Sequence, residues 1–172
     1  MSISRDSISI SPSLSDTEPT EPSNPVSYEA AVMCDKYNAI LYKLFNVYAC
    51  DYNGELLHSI DDQLDLLEDY GLLPKFISKE DAVNSYMRIA DRRNDSSKIA
   101  TANLLDYEGF IESLCRVALI VFADPSLQGL YESTGIKIAM FLELWNLSDE
   151  RNLTIHREER KILKKSEKNK VH

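Results

Sequence analysis

The sequence predicts an all-α fold, with two helix–loop–helix units in mid-chain, additional C-terminal helices and a disordered or extended N-terminal arm. Three observations carry this reading. Apolar residues recur at spacings of three and four through five stretches between Tyr28 and Trp145. No strand-like alternation of useful length interrupts those stretches. A hydrophobic content of 44% over 172 residues is enough to form a core, with one domain as the default.

Residues 1–27 hold four of the six prolines, nine serines and no aromatic side chain, a composition expected of a disordered arm. Within it, "SISISPS" alternates apolar and polar residues and could add to a partner's sheet edge, although a solvated tail is the simpler expectation. A first helix is expected from Tyr28 through Met33, Tyr37, Ile40, Leu41, Leu44, Phe45 and Tyr48, ending near Asp51-Asn53-Gly54. Ile60, Leu64, Leu67 and Tyr70 form a second stripe, closed by Gly71 and Pro74. "SKED" at 78–81 resembles a capping box and opens a third helix through Val83, Tyr86, Met87 and Ala90, which the polar "DRRNDSSK" of 91–98 is expected to break. A fourth stripe runs through Leu105, Phe110, Ile111, Leu114, Val117, Ala118 and Val121. Asp124-Pro125 has the form of an N-cap followed by a first-turn proline, so a fifth helix is expected from there to Trp145, loosened by Gly129 and Gly135. The expected divisions are 1–27 (arm), 28–147 (helical domain) and 148–172 (basic tail with helical potential). Phe45, Phe110, Leu114 and Phe141 are expected to meet in the core, where the helix pairs and the fifth helix pack.

Several function classes find no support. The longest apolar run, "VALIVFA" at 117–123, falls far short of the roughly 20 residues that span a bilayer. The arm has no apolar segment of the signal-peptide type, so a cytoplasmic protein without membrane contact is expected. Cys34, Cys50 and Cys115 are too few and too scattered for a disulfide framework or zinc site and read as ordinary thiols. His58, His156 and His172 have no metal-ligand spacing, no nucleotide-binding glycine motif is present, and nothing pairs a nucleophile with a base; no enzyme and no cofactor is expected. The pI near 4.8 and the lack of aromatics interleaved with the basic residues speak against nucleic acid.

The loops between the helices have the frame of a calcium site without its chemistry. An EF-hand places oxygens at loop positions 1, 3, 5, 7 and 9, glycine at 6, an apolar residue at 8 and a bidentate glutamate at 12. With Gly54 at position 6, the first loop has Ala49 at 1, Asp51 at 3, Asn53 at 5, Leu56 at 8 and Ile60 at 12. Two extra residues in the loop would instead bring Asp62 to the last position. Asp51, Asn53 and Asp62 are therefore only weak metal candidates, and no metal is expected. In the second loop, Leu105 at position 8 makes Lys98, Ala100, Ala102 and Gly109 positions 1, 3, 5 and 12, and none supplies a side-chain oxygen.

The segments "LYKLFNVYA", "DDQLDLLEDYGLL", "ISKEDAVNSYMRIA" and "NLLDYEGFIESLCRVA", between 41 and 118, resemble the degenerate paired EF-hand domain of the tubulin polymerisation-promoting protein family and of related ciliary EF-hand-like proteins. The resemblance lies in Phe45 and Tyr48, in Leu67 and Asp69 before Gly71-Leu72, in Asp81, and in "LLDYEGFIESL" beside the family's I-x-Y-E-E-F-x-x-A-L. Gly109 replaces the second glutamate of that motif, and no glycine-rich C-terminal segment follows, which favours a more distant relative. The resemblance implies paired degenerate EF-hand-like units in a structural, non-enzymatic microtubule-associated protein of the cytoskeleton, at home on the axoneme of a cilium or flagellum. Its implied partners are tubulin and neighbouring microtubule-associated proteins. The alternative is a calcium-independent, calmodulin-like adaptor for a partner helix.

Charge names the expected contact. Residues 151–172 carry eight Lys and Arg against three Glu, a net of +5, which leaves −14 on residues 1–150 of a chain at −9. Arg157, Arg160, Lys161, Lys164, Lys165, Lys168 and Lys170 are spaced to line much of one helix, a strap suited to acidic tubulin.

Overall fold

The computed structural model describes residues 27–96, 103–127 and 129–170, with the side chains of 94–96 and 163–170 excepted; the N-terminal arm and most of the second loop lie outside these. The described chain is mostly helical, in the order α1 (Tyr28–Lys36), α2 (Asn38–Tyr48), β1 (Cys50–Tyr52), β2 (Glu55–Leu57), α3 (Ile60–Asp69), α4 (Lys79–Ser96), α5 (Tyr107–Val121), α6 (Thr134–Leu144) and α7 (Glu150–Lys170).

The single first helix expected over 28–48 is two helices, broken at Tyr37 (φ −96°, ψ 7°). The two halves have different partners. α1 is capped by Ser27 Oγ and buries Ala30, and it packs on α6. α2 buries Ile40, Leu41, Leu44, Phe45 and Tyr48 and packs on α3, α5 and α7. One straight rod would serve only one of these surfaces. The close α1–α6 approach depends on Gly135, where a Cβ would stand 3.0 Å from the Glu29 carbonyl oxygen.

The "DYNG" turn is a β-hairpin rather than an open loop, so the all-helical expectation needs one addition. β1 and β2 pair antiparallel with Cys50 opposite Leu57, Asp51 opposite Leu56 and Tyr52 opposite Glu55. Asn53 (φ 59°) and Gly54 (φ 91°) form the two-residue connection with left-handed backbone at both positions, the twist that closes tight hairpins.

Two further boundaries move. α4 continues through the polar 91–96 instead of breaking there. Its end is tied to α5: Arg93 donates to both carboxylate oxygens of Asp106 at 2.7 and 2.6 Å, and Arg92 pairs with the buried Glu112. These ion pairs replace the apolar stripe that the sequence lacks at this point. Conversely, Asp124-Pro125 opens a turn and not a helix. Asp124 Oδ1 accepts from Ser126 N at 2.8 Å, Gly129 has φ 89°, and α6 begins only at Thr134 behind the Ser133 cap.

Phe45, Phe110, Leu114 and Phe141 all belong to one buried cluster. The Phe45 and Phe110 rings lie 5.4 Å apart, while the Phe141 ring lies 5.7 Å from Trp145 in a tilted contact. A smaller cluster of Tyr86, Ile89, Ala90 and Leu105 fills the space under the loops. Leu147 and Leu153, on either side of the 147/148 division, are both in the main core, so the start of α7 is part of the packed body.

Phe110 is fully buried. Phe110→Ala is expected to cost about 3–5 kcal/mol in urea unfolding. A loss under about 1 kcal/mol would remove the ring from the core described here.

Candidate functional site

Two features bear on function: the junction of the two interhelical loops and the basic helix α7. The junction is a short antiparallel bridge. His58 N–H donates to Leu105 O at 2.8 Å, and Leu105 N–H donates to His58 O at 2.9 Å. The Tyr86 hydroxyl, with its single proton, sits between His58 O at 2.5 Å and Asn103 O at 2.9 Å, stitching α4 to both loops. Immediately after the bridge each chain enters a helix through a cap. Ser59 Oγ accepts from Asp62 N at 3.2 Å while Asp62 Oδ2 accepts from Ser59 N at 2.9 Å, and Asp106 Oδ1 accepts from Gly109 N at 2.9 Å.

The carboxylates singled out as weak cation candidates are used for this framework. Asp51 Oδ1 accepts from Gly54 N at 2.7 Å within the hairpin, and Asn53 takes the left-handed turn position. Asp62 is buried, with Oδ2 in the capping box and Oδ1 accepting from Cys50 Sγ at 3.7 Å. Among the described residues, no group of three or more His, Cys, Asp and Glu is arranged to hold a metal ion. Lys98, Ala100 and Ala102 lie outside the described residues, and Gly109 sits in the first turn of α5.

His58 is the buried residue of this junction that sequence reasoning missed, because nothing around it marks a buried imidazole. It is fully buried, lies 4.8 Å from the Phe110 ring in an edge-on contact, and its Nε2 is 3.0 Å from Gln63 Oε1. Nδ1 has no partner. Burial pushes His58 down to about 4, outweighing the opposing pull of Asp62 and of the Gln63 hydrogen bond.

The residues expected to bind a partner divide along α7. Arg160 faces inward: its guanidinium lies 3.0 Å from Asp65 and 3.4 Å from Asp69, and 4.1 Å from the centre of the Tyr48 ring. Tyr48 in turn donates to Asp69 at 2.8 Å. Arg160, one of the residues expected to bind a partner, is therefore a fastener of α7 to α2 and α3. Arg157 is exposed and lines a groove of 300 Å³ between α2 and α7 with Lys43, Val47 and Leu153. Lys161 is exposed and pairs with Glu158 of its own helix at 2.7 Å. Lys164, Lys165, Lys168 and Lys170 continue α7, and their side chains lie outside those described. No membrane-spanning helix is present among the described residues.

Family models, curated proteins and solved structures give no match to this chain.

Two outcomes test the loop junction. Millimolar calcium is expected to leave the melting midpoint unchanged and to release no binding heat; a saturable site tighter than about 100 µM would overturn this, with Asp51 and Asp62 the residues to replace. For His58, the unfolded chain binds a proton near pH 6.5 and the folded chain near 4, so the unfolded state holds more protons between those values. The stabilising contribution is complete above pH 6.5 and is lost as pH falls through about 4. Between pH 7 and 5 the wild type should lose about 2 kcal/mol that His58→Gln does not lose, read by urea unfolding at each pH. Equal losses in both proteins would remove His58 as the source.

Proposed function

We propose that this chain is a non-enzymatic structural protein of microtubules, a component of ciliary or flagellar axonemes, built on paired EF-hand-like units that no longer use calcium. The bridge between His58 and Leu105 is the observation that carries the paired-unit reading. An antiparallel bridge is locally two-fold symmetric, so the residues that pair across it occupy equivalent places in two related loops. With Leu105 at loop position 8, His58 takes position 8 as well, and the first loop is two residues longer than standard. Asp62 and Gly109 then fall together at position 12, where one is a helix-capping carboxylate and the other has no side chain.

The microtubule reading draws on the resemblance over 41–118 and on charge. The acidic body bears a helix whose outer surface carries Arg157 and Lys161 and whose continuation adds four lysines. Arg160 and Leu153 hold the base of that helix on the body, giving the cations a fixed origin. An acidic tubulin surface would gain charge pairing with the outer half. Neighbouring microtubule-associated proteins remain partners for the acidic remainder. The adaptor alternative has less support, since α1 and α6 already lie together against the helix pairs where a partner helix would need room.

The test is co-sedimentation with assembled microtubules. Deleting 163–172 keeps Leu153 and Arg160, so the body stays folded while four lysines are lost. Binding should weaken about tenfold, and binding of the full chain should fall as salt rises through about 0.15 M, where the Debye length is about 8 Å. Arg157→Glu with Lys161→Glu should act in the same direction. Unchanged binding in both variants would overturn α7 as the attachment element, and failure of the full chain to co-sediment at low salt would overturn the microtubule reading.

A further inference from the structure

Cys34 and Cys115 are separated by most of the helical domain in sequence, yet their sulfur atoms lie 3.5 Å apart in the fold. We propose that this pair is an oxidation site, a dithiol that hydrogen peroxide converts into an intramolecular disulfide linking α1 to α5. A disulfide needs about 2.05 Å between sulfurs, so the two must close by about 1.5 Å, within the reach of small side-chain rotations. Space for that adjustment is present. The sulfurs border a void of 10 Å³ walled by Leu41, Leu114, Ile138 and Phe141.

Access to the two thiols is unequal in the way a two-step oxidation requires. Cys34 is half-buried and lines an open groove of 570 Å³ together with Asp35, Asn38 and Tyr107. Cys115 is buried behind it. Its contact with Cys115 holds the Cys34 thiol below its ordinary value against the opposing effect of burial, while that same contact, with burial added, pushes Cys115 up. Cys34 is thus the thiol that meets the oxidant, and Cys115 is the one that resolves the product. Cys50 sits in β1 with its thiol toward Asp62 and takes no part.

The chemistry balances with hydrogen peroxide as sole oxidant. Cys34 thiolate attacks one peroxide oxygen, the O–O bond breaks, and the departing hydroxide takes up a proton as water, leaving Cys34 as sulfenic acid. The Cys115 sulfur then attacks the Cys34 sulfur, the S–OH bond breaks, and hydroxide leaves with the Cys115 proton as a second water. Two thiols lose two electrons and two protons, and the peroxide gains them. The bond fixes α1 to α5, and with it the groove floor and the α1–α6 contact.

The full-length reduced chain, treated with hydrogen peroxide and then alkylated, gives the test. The intact mass should fall by two hydrogens before alkylation, the alkylatable thiols should drop from three to one with Cys50 the survivor, and dithiothreitol should restore all three. Peptide mapping should show Cys34 joined to Cys115. Cys50→Ser should still form the bond, whereas Cys115→Ser should accumulate a sulfenic acid at Cys34 that dimedone traps. The wild-type peptide map decides the matter even if Cys115→Ser does not fold. Dimers linked through Cys34, a bond to Cys50 in the folded chain, or three intact thiols under peroxide that oxidises free glutathione would each overturn the proposal.

Discussion

The backbone bridge between His58 and Leu105 is the constraint on which the rest of the fold depends. It joins two loops 47 residues apart in sequence and lies in a fully buried setting. There an unmade amide hydrogen bond costs about 1–3 kcal/mol, because no water stands ready to replace the lost partner. The His58 carbonyl accepts from both Leu105 N–H and the Tyr86 hydroxyl, so α4 is held by the same oxygen that joins the loops. One residue beyond each end of the bridge comes a helix cap, so the directions of α3 and α5 follow from it. The Phe45–Phe110 contact and the His58 ring lie directly beneath.

At this junction the carboxylates are engaged in capping helices and closing a turn. Capping and metal binding compete for the same carboxylate oxygens. Asp62 and Asp106 satisfy helix amides that would otherwise lack partners, and Asp51 closes the hairpin turn. The bridge joins the loops through two reciprocal backbone hydrogen bonds. His58 belongs to the same trade: a neutral imidazole in an apolar setting holds the junction together at neutral pH and weakens it once protonation becomes favourable.

The charge asymmetry of the chain is resolved by a division within one helix. Near its start, Leu153 and Arg160 bind α7 to an acidic body, with Arg160 set between Asp65 and Asp69 and over Tyr48. A cation so placed has its desolvation offset by two carboxylates and a ring face, which makes it a structural element rather than a recruiting one. Just beyond it, Lys161 is exposed and pairs with Glu158 of its own helix.

The sequence by itself determined the helical class, most helix positions and the main core residues, because spacing of apolar residues is a local signal repeated over many turns. Ile60, Leu64 and Leu67 mark α3, and Ser59 with Asp62 carry its capping box within four residues of one another. The Asn53-Gly54 turn was also legible as a hairpin signal, obscured by its likeness to the centre of a calcium loop. Only the tertiary structure decided the break at Tyr37, the extension of α4 past Ala90, the late start of α6, the inward turn of Arg160 and the meeting of Cys34 with Cys115. Each of these depends on a partner many residues away. Helix periodicity says which face is apolar, but the partner that face meets, and the charge or thiol beside it, is set by packing distances that no local spacing encodes.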